Sequence, residues 1–423
     1  MKRNNIILNK IDVNHNVVKY TFDVSPEISE YFTSTTLFIE YDTDMSDVPP
    51  SILSIPFVSI FMAFAWITNS SLWVEEIDST FYDTIPQIKS AYQDIYYNYP
   101  LKGRIVSAKF IKNHLNSLNN SSLMLFSGGA DCHTSLIRLF DKNPILFNIQ
   151  GWYTSPESTD YAADADKRDI IEFANNHSLN SAHVKSNFAH IISPRFDKKF
   201  NKKLGDSWWH GFVHSLAFIS IAIPYACKFS INEIIIASSL TTGQNKPCAS
   251  NSTTDSAFKY AFSGEVLHDG FELSRQDKIH IICDFQKKIK QPYPMRVCSF
   301  NDHNCCKCEK CLRTIAAIVA EATDPRLFGF EINGDLTSHW QSVLDESVAL
   351  MGFKNEKLTH WPFIHKKMKE NFYKMTNEQK KFSNWFMTFD FDKAKRKGLI
   401  KYYRKNFFKI IKRKLLLNQL HNK

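Results

Sequence analysis

The sequence has no cysteine in its first 130 residues, although the chain of 423 residues holds nine. Five of the nine lie between Cys298 and Cys311. A disulfide framework spreads its cysteines more evenly, so this distribution argues against one. Clustering of this kind favours metal ligation in a reducing compartment.

Long apolar runs are also missing. The most apolar stretch, Ile52 to Thr68, contains Pro56 and two serines. It falls short of the ~18 to 20 residues that a membrane span needs, so we predict a buried helix there. A secretory signal is not expected either, because the apolar run Ile6 to Leu8 stops at Asn9. These features predict a cytoplasmic location.

Acidic residues are scarce in one region. Residues 391–423 hold twelve Lys or Arg against the single acid Asp392, whereas the other 390 residues carry a net charge of about −2. Apolar residues recur from Ile400 to Leu415 at steps of three and four, which predicts a basic amphipathic helix. Such a helix could pack on the protein, lie on an anionic membrane surface, which would make the protein membrane-peripheral, or bind RNA.

Between residue 121 and about 290, strand and helix patterns alternate, which indicates an α/β fold with a parallel sheet and helices on both faces. We predict this domain over 116–322, after an N-terminal α+β module (1–115) and before a helical basic C-terminal extension (323–423). The strand patterns are SLMLF, PILFNI, SAHVKS, NEIIIAS and IHIICDF, and the helical segments are 134–140, 162–177 and 211–229.

The segment LMLFSGGADCHTSLIRLF carries an apolar strand into Ser127, Gly128 and Gly129 and then into a helix. Adjacent glycines allow positive φ and close approach of a ligand, and the helix start offers free N–H groups and a positive dipole end. Ser127 can donate to a phosphate oxygen, and Asp131 can hold Mg²⁺. The pattern predicts a phosphate site, with a plain strand-to-helix turn as the alternative.

Four of the clustered cysteines are spaced C-x6-C-x2-C-x2-C. Four thiolates complete the tetrahedral coordination of Zn²⁺, which is typical of a structural site. An iron–sulfur cluster is the main alternative, but the isolated upstream cysteine and the absence of a following proline favour zinc. Cys306 could replace Cys305 as a ligand. The predicted ligands are Cys298, Cys305, Cys308 and Cys311.

The string SGGAD resembles the SGG-x-D-S signature of the PP-loop ATP pyrophosphatases, which cleave ATP between the α and β phosphates. Cys132 stands where that family has its last serine, and a thiol is a weaker hydrogen-bond donor. Together with CCKCEKCLR, the loop resembles the 7-cyano-7-deazaguanine synthases, whose zinc motif reads C…CG-x-C-x-x-C-x-x-R. Cys306 stands in place of the glycine, and Arg313 follows the last cysteine by two residues.

This resemblance covers about residues 120 to 320. It implies an adenine-nucleotide alpha-hydrolase-like (Rossmann-like) domain that binds ATP, Mg²⁺ and Zn²⁺. It also implies adenylation of a carboxylate or similar oxygen, followed by nitrogen transfer. The synthases recognise their substrate with a Tyr-Pro-Asp string, whereas this chain offers Asn251, Ser252 and Asp255 without Tyr-Pro. We therefore expect a different small-molecule substrate.

Further candidate residues follow the later strand patterns. Ser238 and Ser239 follow NEIIIAS and could contact the nucleotide, as could Thr242 and Gly243. Arg275 is a candidate pyrophosphate clamp, with an exposed salt bridge as the alternative. His210 and His214 begin a strongly apolar helix, where a core role is the simplest interpretation.

Two other functions stay open. A tRNA-modifying PP-loop enzyme would need a catalytic cysteine pair, and Cys132, Cys227, Cys248 and Cys283 show no such spacing. A non-catalytic nucleotide-binding subunit of a defence or biosynthetic assembly is compatible with Cys132 and with the added terminal regions. The sequence is also compatible with a homodimer.

Overall fold

An eleven-stranded mixed sheet forms the centre of residues 1–274 in the computed structural model. The structure describes residues 3–116, 120–152, 156–242, 247–298, 301–351, 360–394, 396–400 and 404. The strands are β1 (Asn5–Asn14), β2 (Val17–Val24), β3 (Thr36–Glu40), β4 (Ser71–Asp78), β5 (Arg104–Ile111), β6 (Leu123–Leu125), β7 (Ile145–Gln150), β8 (Ser181–Ser186), β9 (Glu233–Ala237), β10 (Lys259–Tyr260) and β11 (Gly264–Asp269).

The helices alternate with these strands and then continue without them. A π-helical turn, Trp209–Val213, precedes α7. The α-helices are α1 (Pro26–Ser29), α2 (Pro50–Thr68), α3 (Ser79–Ile95), α4 (Ala130–Arg138), α5 (Pro156–Asn176), α6 (Pro194–Leu204), α7 (His214–Lys228), α8 (Ser252–Asp255), α9 (Arg275–Ile289), α10 (Glu309–Ala320), α11 (Leu336–Met351), α12 (Trp361–Asn371) and α13 (Asn377–Thr388).

The strand order is β10-β11-β9-β6-β7-β8-β3-β2-β1-β4-β5. From β11 to β8 all neighbours are parallel. In this part the chain starts at the central β6, moves outward through β7 to β8, and then continues on the other side with β9 and β11. The order of the strands therefore reverses between β6 and β9. The predicted α/β class is confirmed, and the sheet is mostly parallel.

Four of the five strand patterns are confirmed by β6, β7, β8 and β9, but the fifth prediction was wrong. IHIICDF lies in α9, where Ile279, Ile282 and Cys283 are buried at helical spacing. A short apolar run cannot by itself distinguish a strand from a buried helix. The strand that follows β9 in the parallel part is β11, which ends at His268 and Asp269.

The N-terminal residues are continuous with the sheet. Strands β1, β2 and β3 pair antiparallel, and β3 pairs with β8 through Ile39 and Ser186. The apolar core likewise includes Tyr20 and Phe57 together with Ile149 and Ile219. The chain divides into two compact units after Ser274. The predicted boundaries at 115/116 and 322/323 do not coincide with this division, because one sheet and one core span the first of them.

Two helical stretches, Pro50–Thr68 and Trp209–Lys228, are long and apolar enough to cross a membrane by length and composition alone. In their most apolar windows, 94% and 78% of the residues are buried inside the protein. The helices α2 and α7 also pack against each other. Core packing accounts for their composition, and the predicted buried helix at 52–68 is confirmed. The predicted basic helix from Ile400 to Leu415 falls largely outside the described residues.

Candidate functional sites

The strand, turn and helix predicted around Ser127 are present: β6 ends at Leu125, and α4 begins at Ala130. Gly128 has a φ of 74°, in the left-handed region that favours glycine. Gly129 is the N-cap residue of α4, so the first N–H groups of that helix lie at this turn. The local backbone is suited to an anion.

A cavity of about 240 Å³, here called the loop cavity, lies beside the turn. The loops that reach it follow β6 and β9, where the strand order reverses, and open parallel sheets bind ligands at this position. Its apolar walls include Phe147 and Phe218. Four of the residues predicted to bind nucleotide line it, namely Ser127, Asp131, Cys132 and Ser239.

The other predicted site residues have different positions. The Ser238 hydroxyl donates to the Leu240 carbonyl at 2.8 Å, so this side chain shapes its own loop. Arg275 is the first residue of α9, which belongs to the second unit, whereas the loop cavity belongs to the first. Gly243 lies outside the described residues. Thr242 donates its N–H to the Phe271 carbonyl at 2.9 Å.

Cys132 keeps its proton in this environment. Burial raises the pKa of its thiol to about 11. The Sγ lies 3.0 Å from the Gly129 carbonyl oxygen, to which the thiol donates, and 3.9 Å from the Ser127 hydroxyl oxygen. A neutral thiol at this point holds the turn together without placing a negative charge beside an incoming phosphate.

Asn148 is a lining residue that the sequence reasoning missed. Its amide nitrogen donates to the Phe126 carbonyl at 3.3 Å, whereas its Oδ1 is buried and has no hydrogen-bond partner among the described residues. A buried acceptor without a partner costs about 1–3 kcal/mol, and a water or a ligand donor in the cavity would satisfy this one. The available signal was one amide inside the apolar run PILFNI.

A buried polar network supports the far wall of the loop cavity. The Asp255 carboxylate, fully buried, accepts from Ser250 at 2.9 Å and pairs with His268 at 2.8 Å. Ser250 lines the cavity. On the α4 side, Asp269 accepts from Ser135 at 2.6 Å, so the helix after the turn is tied to the end of β11. The cavity walls are thus held by hydrogen-bonded polar groups inside the unit.

The second unit contains the cysteine cluster. Within the described residues, one group of three or more His, Cys, Asp or Glu side chains brings its ligand atoms within 4.8 Å of one another. This group could hold a metal ion. Cys305 Sγ and Cys311 Sγ lie 3.9 Å apart. The members are the four predicted cysteines, Cys298, Cys305, Cys308 and Cys311.

Helix α10 and one asparagine position these cysteines. Cys308 is the N-cap residue of α10, and its sulfur accepts from the Cys311 N–H at 3.5 Å. Asn304 donates to the carbonyls of Met295 and Gly329 at 2.8 and 3.0 Å and accepts from the Val297 N–H at 3.0 Å. These bonds fix the segment that carries Cys298 against the cysteine loop.

Cys306, the alternative ligand, lies outside the group. It adopts a φ of 52°, in the region that favours glycine, and its carbonyl accepts from His339 at 3.0 Å. His303 is exposed and bonds to Asp302 at 2.6 Å, in keeping with a loop residue.

No protein-family model, no curated protein and no solved structure matches this chain.

Proposed function

We propose that the chain is an ATP-dependent adenylating enzyme of the PP-loop type, which forms AMP and pyrophosphate. It would activate a carboxylate or similar oxygen for nitrogen transfer, in the manner of the 7-cyano-7-deazaguanine synthases but on a different substrate. The observation that carries the proposal is the loop cavity, since Ser127 and Asp131 of SGGAD line it at the reversal of strand order, where a Rossmann-like sheet binds nucleotides.

The turn supplies the contacts that a triphosphate needs. Ser127, which is exposed, would donate its hydroxyl to a phosphate oxygen, and the N–H groups at the start of α4 would bind others. Asp131 would hold Mg²⁺, which neutralises charge on the departing pyrophosphate when bound. Because Cys132 is a neutral donor, it is compatible with this anion.

The cavity size matches part of ATP. Its 240 Å³ is below the roughly 300–1,000 Å³ of sites that enclose whole ligands. It therefore suits the nucleoside, with the phosphates at the turn. Asn148 Oδ1 would accept from the exocyclic amine of adenine, which satisfies the buried oxygen and selects adenine over a base that carries an oxygen there.

The four cysteines would hold zinc in a structural role. A tetrahedron with bonds of about 2.3 Å separates its sulfurs by about 3.8 Å, close to the 3.9 Å between Cys305 and Cys311. Four protein ligands leave no open position for substrate. The left-handed φ of Cys306, where the synthase motif has glycine, supports the resemblance.

Pyrophosphate release from ATP tests the enzyme proposal. The wild type is assayed against a panel of carboxylates with ammonia as nitrogen donor, beside Asp131→Ala. We expect release with the wild type and a loss of roughly 100-fold or more in the variant, the size seen when one preorganised electrostatic group is removed. ATP binding without release from either protein would support the nucleotide-sensing alternative instead.

A pair of glycine variants adds a matched control. Gly128 and Gly334 both have a φ of 74° and nothing within 4 Å of an added Cβ, so alanine strains both backbones similarly. Only Gly128→Ala should weaken ATP binding measured by calorimetry. Equal loss in both variants, or in neither, would contradict a phosphate-binding role for the turn.

A further inference from the structure

Cys248 is buried beside two histidines from one helical stretch. Its Sγ lies 4.0 Å from His214 Nε2. His210 and His214 are separated by one turn through the π-helical segment Trp209–Val213, and their ring centroids are 6.0 Å apart. π-Helical turns occur frequently at functional sites, where they reorient side chains.

The hydrogen bonds of the two rings orient them. His214 Nδ1 lies 3.0 Å from the Trp209 carbonyl oxygen, which can only accept, so Nδ1 carries a proton and Nε2 is the ring nitrogen that faces the thiol. His210 Nδ1 lies 2.6 Å from the Asp206 carboxylate. This places a carboxylate, an imidazole and a thiol in sequence, with a second imidazole as a base.

The charges of the group are consistent with this geometry. Burial raises the pKa of Cys248, but hydrogen bonds from His210 and His214 outweigh it and lower the pKa to about 6. Hydrogen bonds to Asp206 and then to Cys248 raise the pKa of His210 to about 10. Tyr92 and Tyr96 also interact with Cys248, and burial raises their pKa values, so both stay neutral. Both shifts favour a thiolate at Cys248 and an imidazolium at His210.

The segment that carries Cys248 lines two cavities. Ser250, like His214, lines the loop cavity. Pro247 and Asn251 line a second cavity of about 820 Å³, here called the tyrosine cavity. Its wall also includes Tyr96, Tyr97, Tyr99, Lys202, Lys203 and Phe271.

The backbone beside Cys248 is fixed. The Ala249 carbonyl accepts from the hydroxyls of Ser215 at 2.7 Å and Thr254 at 3.0 Å, and its N–H donates to the His210 carbonyl at 2.9 Å. Since both peptide bonds of Ala249 are held, the backbone that follows Cys248 is fixed, which limits the movement of the sulfur.

We propose that Cys248 is a nucleophile that takes the acyl group from the adenylate and passes it to nitrogen, an inference that rests on the proposed function. The thiolate attacks the acyl carbon, the bond from that carbon to the AMP oxygen breaks, and AMP leaves with the electron pair. The amine or ammonia then attacks the thioester. The C–S bond breaks, the thiolate is restored, and His214 Nε2 takes the proton from nitrogen.

A metal site formed by the same side chains is the competing interpretation. Among the described residues, the four-cysteine group alone brings three or more ligand atoms within 4.8 Å of one another. His210, His214 and Cys248 do not meet that condition. The geometry therefore favours a thiolate with a base over a second metal centre.

An activated ester tests the nucleophile without ATP. Cys248 is 1% exposed, so the probe must be small, and p-nitrophenyl acetate fits this need. The full, metal-loaded chain should release a burst of nitrophenolate and carry an acetyl group on Cys248 that hydroxylamine removes. Cys248→Ser should lose the burst, and Cys227→Ser, a buried thiol whose pKa is raised, should retain it.

His214→Gln should slow transfer of the acetyl group from Cys248 to ammonia about 100-fold, as loss of a general base does. Thiolate formation, followed as the ultraviolet difference between the wild type and Cys248→Ser, should have its midpoint near pH 6 and shift upward in His210→Gln. An unmodified Cys248, an unchanged burst in Cys248→Ser, or a second bound metal lost in that variant would each overturn the proposal. Pyrophosphate release decides the adenylation step separately, because acetylation by the ester needs no ATP.

Discussion

Both units bury apolar side chains and carboxylates, but among the described residues only the second contains a group that could hold a metal ion. In the first, one apolar cluster runs through the sheet and its helices, and α2 is buried from Ser51 to Ile67. In the second, the four cysteines lie together, and the carboxylate of Glu321, 2% exposed, accepts from Gln276 at 2.6 Å and His280 at 2.9 Å. Apolar burial stabilises without specific partners, whereas buried thiols and carboxylates stabilise only when each is satisfied. We infer that metal removal affects the second unit first.

Metal removal should have the largest effect. Cys311→Ser or a strong chelator should release the metal and unfold the second unit, with a loss of several kcal/mol, given that structural zinc contributes about 10–16 kcal/mol in small peptides. Hydrogen exchange resolved by peptide should rise over α9 and α10 and stay low over β6, β7 and β9. Elemental analysis before treatment should find zinc, and iron in its place would overturn the assignment.

Cys306→Gly is the matched control for that experiment. It removes a buried cysteine from the same loop but not a member of the cluster, and it places glycine at a φ of 52°. Metal content should be unchanged. Loss of metal in this variant, or exchange rising equally in both units after chelation, would remove the distinction between the units.

A truncation in the apolar core should destabilise the first unit and leave the second unit unchanged. Phe61 is fully buried, and its ring lies 5.0 Å from those of Phe22 and Phe57. Phe61→Ala should destabilise the first unit by about 3–5 kcal/mol through lost burial and a residual cavity. Metal content and protection of α10 should not change. Denaturant unfolding with exchange at each step measures both.

Within each unit, the features that the sequence could predict are those with a local signal. Strands β6, β7, β8 and β9 were predictable because each is a short β-rich apolar run bounded by polar or turn residues. The cysteine group was predictable because its ligands are close in sequence. IHIICDF in α9 was mistaken for a strand because its apolar run is equally compatible with a helix buried on one side.

The loop cavity was only partly predictable. Ser127 and Asp131 belong to a continuous motif, whereas Asn148 and Ser250 reach the cavity through strand order and a distant loop. The contact of Cys248 with His214 joins residues 34 positions apart. Nothing in local spacing relates them, so the sequence suggested only core histidines and a cysteine without a pair.

Substitution of Asn148 should change ATP binding without changing the stability of the first unit. Asn148→Leu removes the partnerless Oδ1 and the bond to Phe126 together, so stability should change by less than about 1 kcal/mol. ATP affinity should fall roughly tenfold, the value of one buried hydrogen bond. Calorimetry with ATP and with inosine triphosphate should show a preference for ATP that the variant loses. An equal preference in both proteins would remove Asn148 from adenine recognition.

The smallest effect is expected at an ion pair on the second unit. Arg326 lies 3.0 Å from Glu378, and their side chains are about one third exposed. The hydrogen bond from Arg326 lowers the pKa of Glu378, which also accepts from the Leu336 N–H at 2.9 Å. Because solvent and salt screen such pairs, Glu378→Gln should cost less than about 1 kcal/mol, and added salt should shrink the difference. Metal-loaded wild type and variant are compared by denaturant unfolding at two ionic strengths. A loss as large as that caused by Cys311→Ser would mean that surface charge, and not the cysteine centre, determines the stability of this unit.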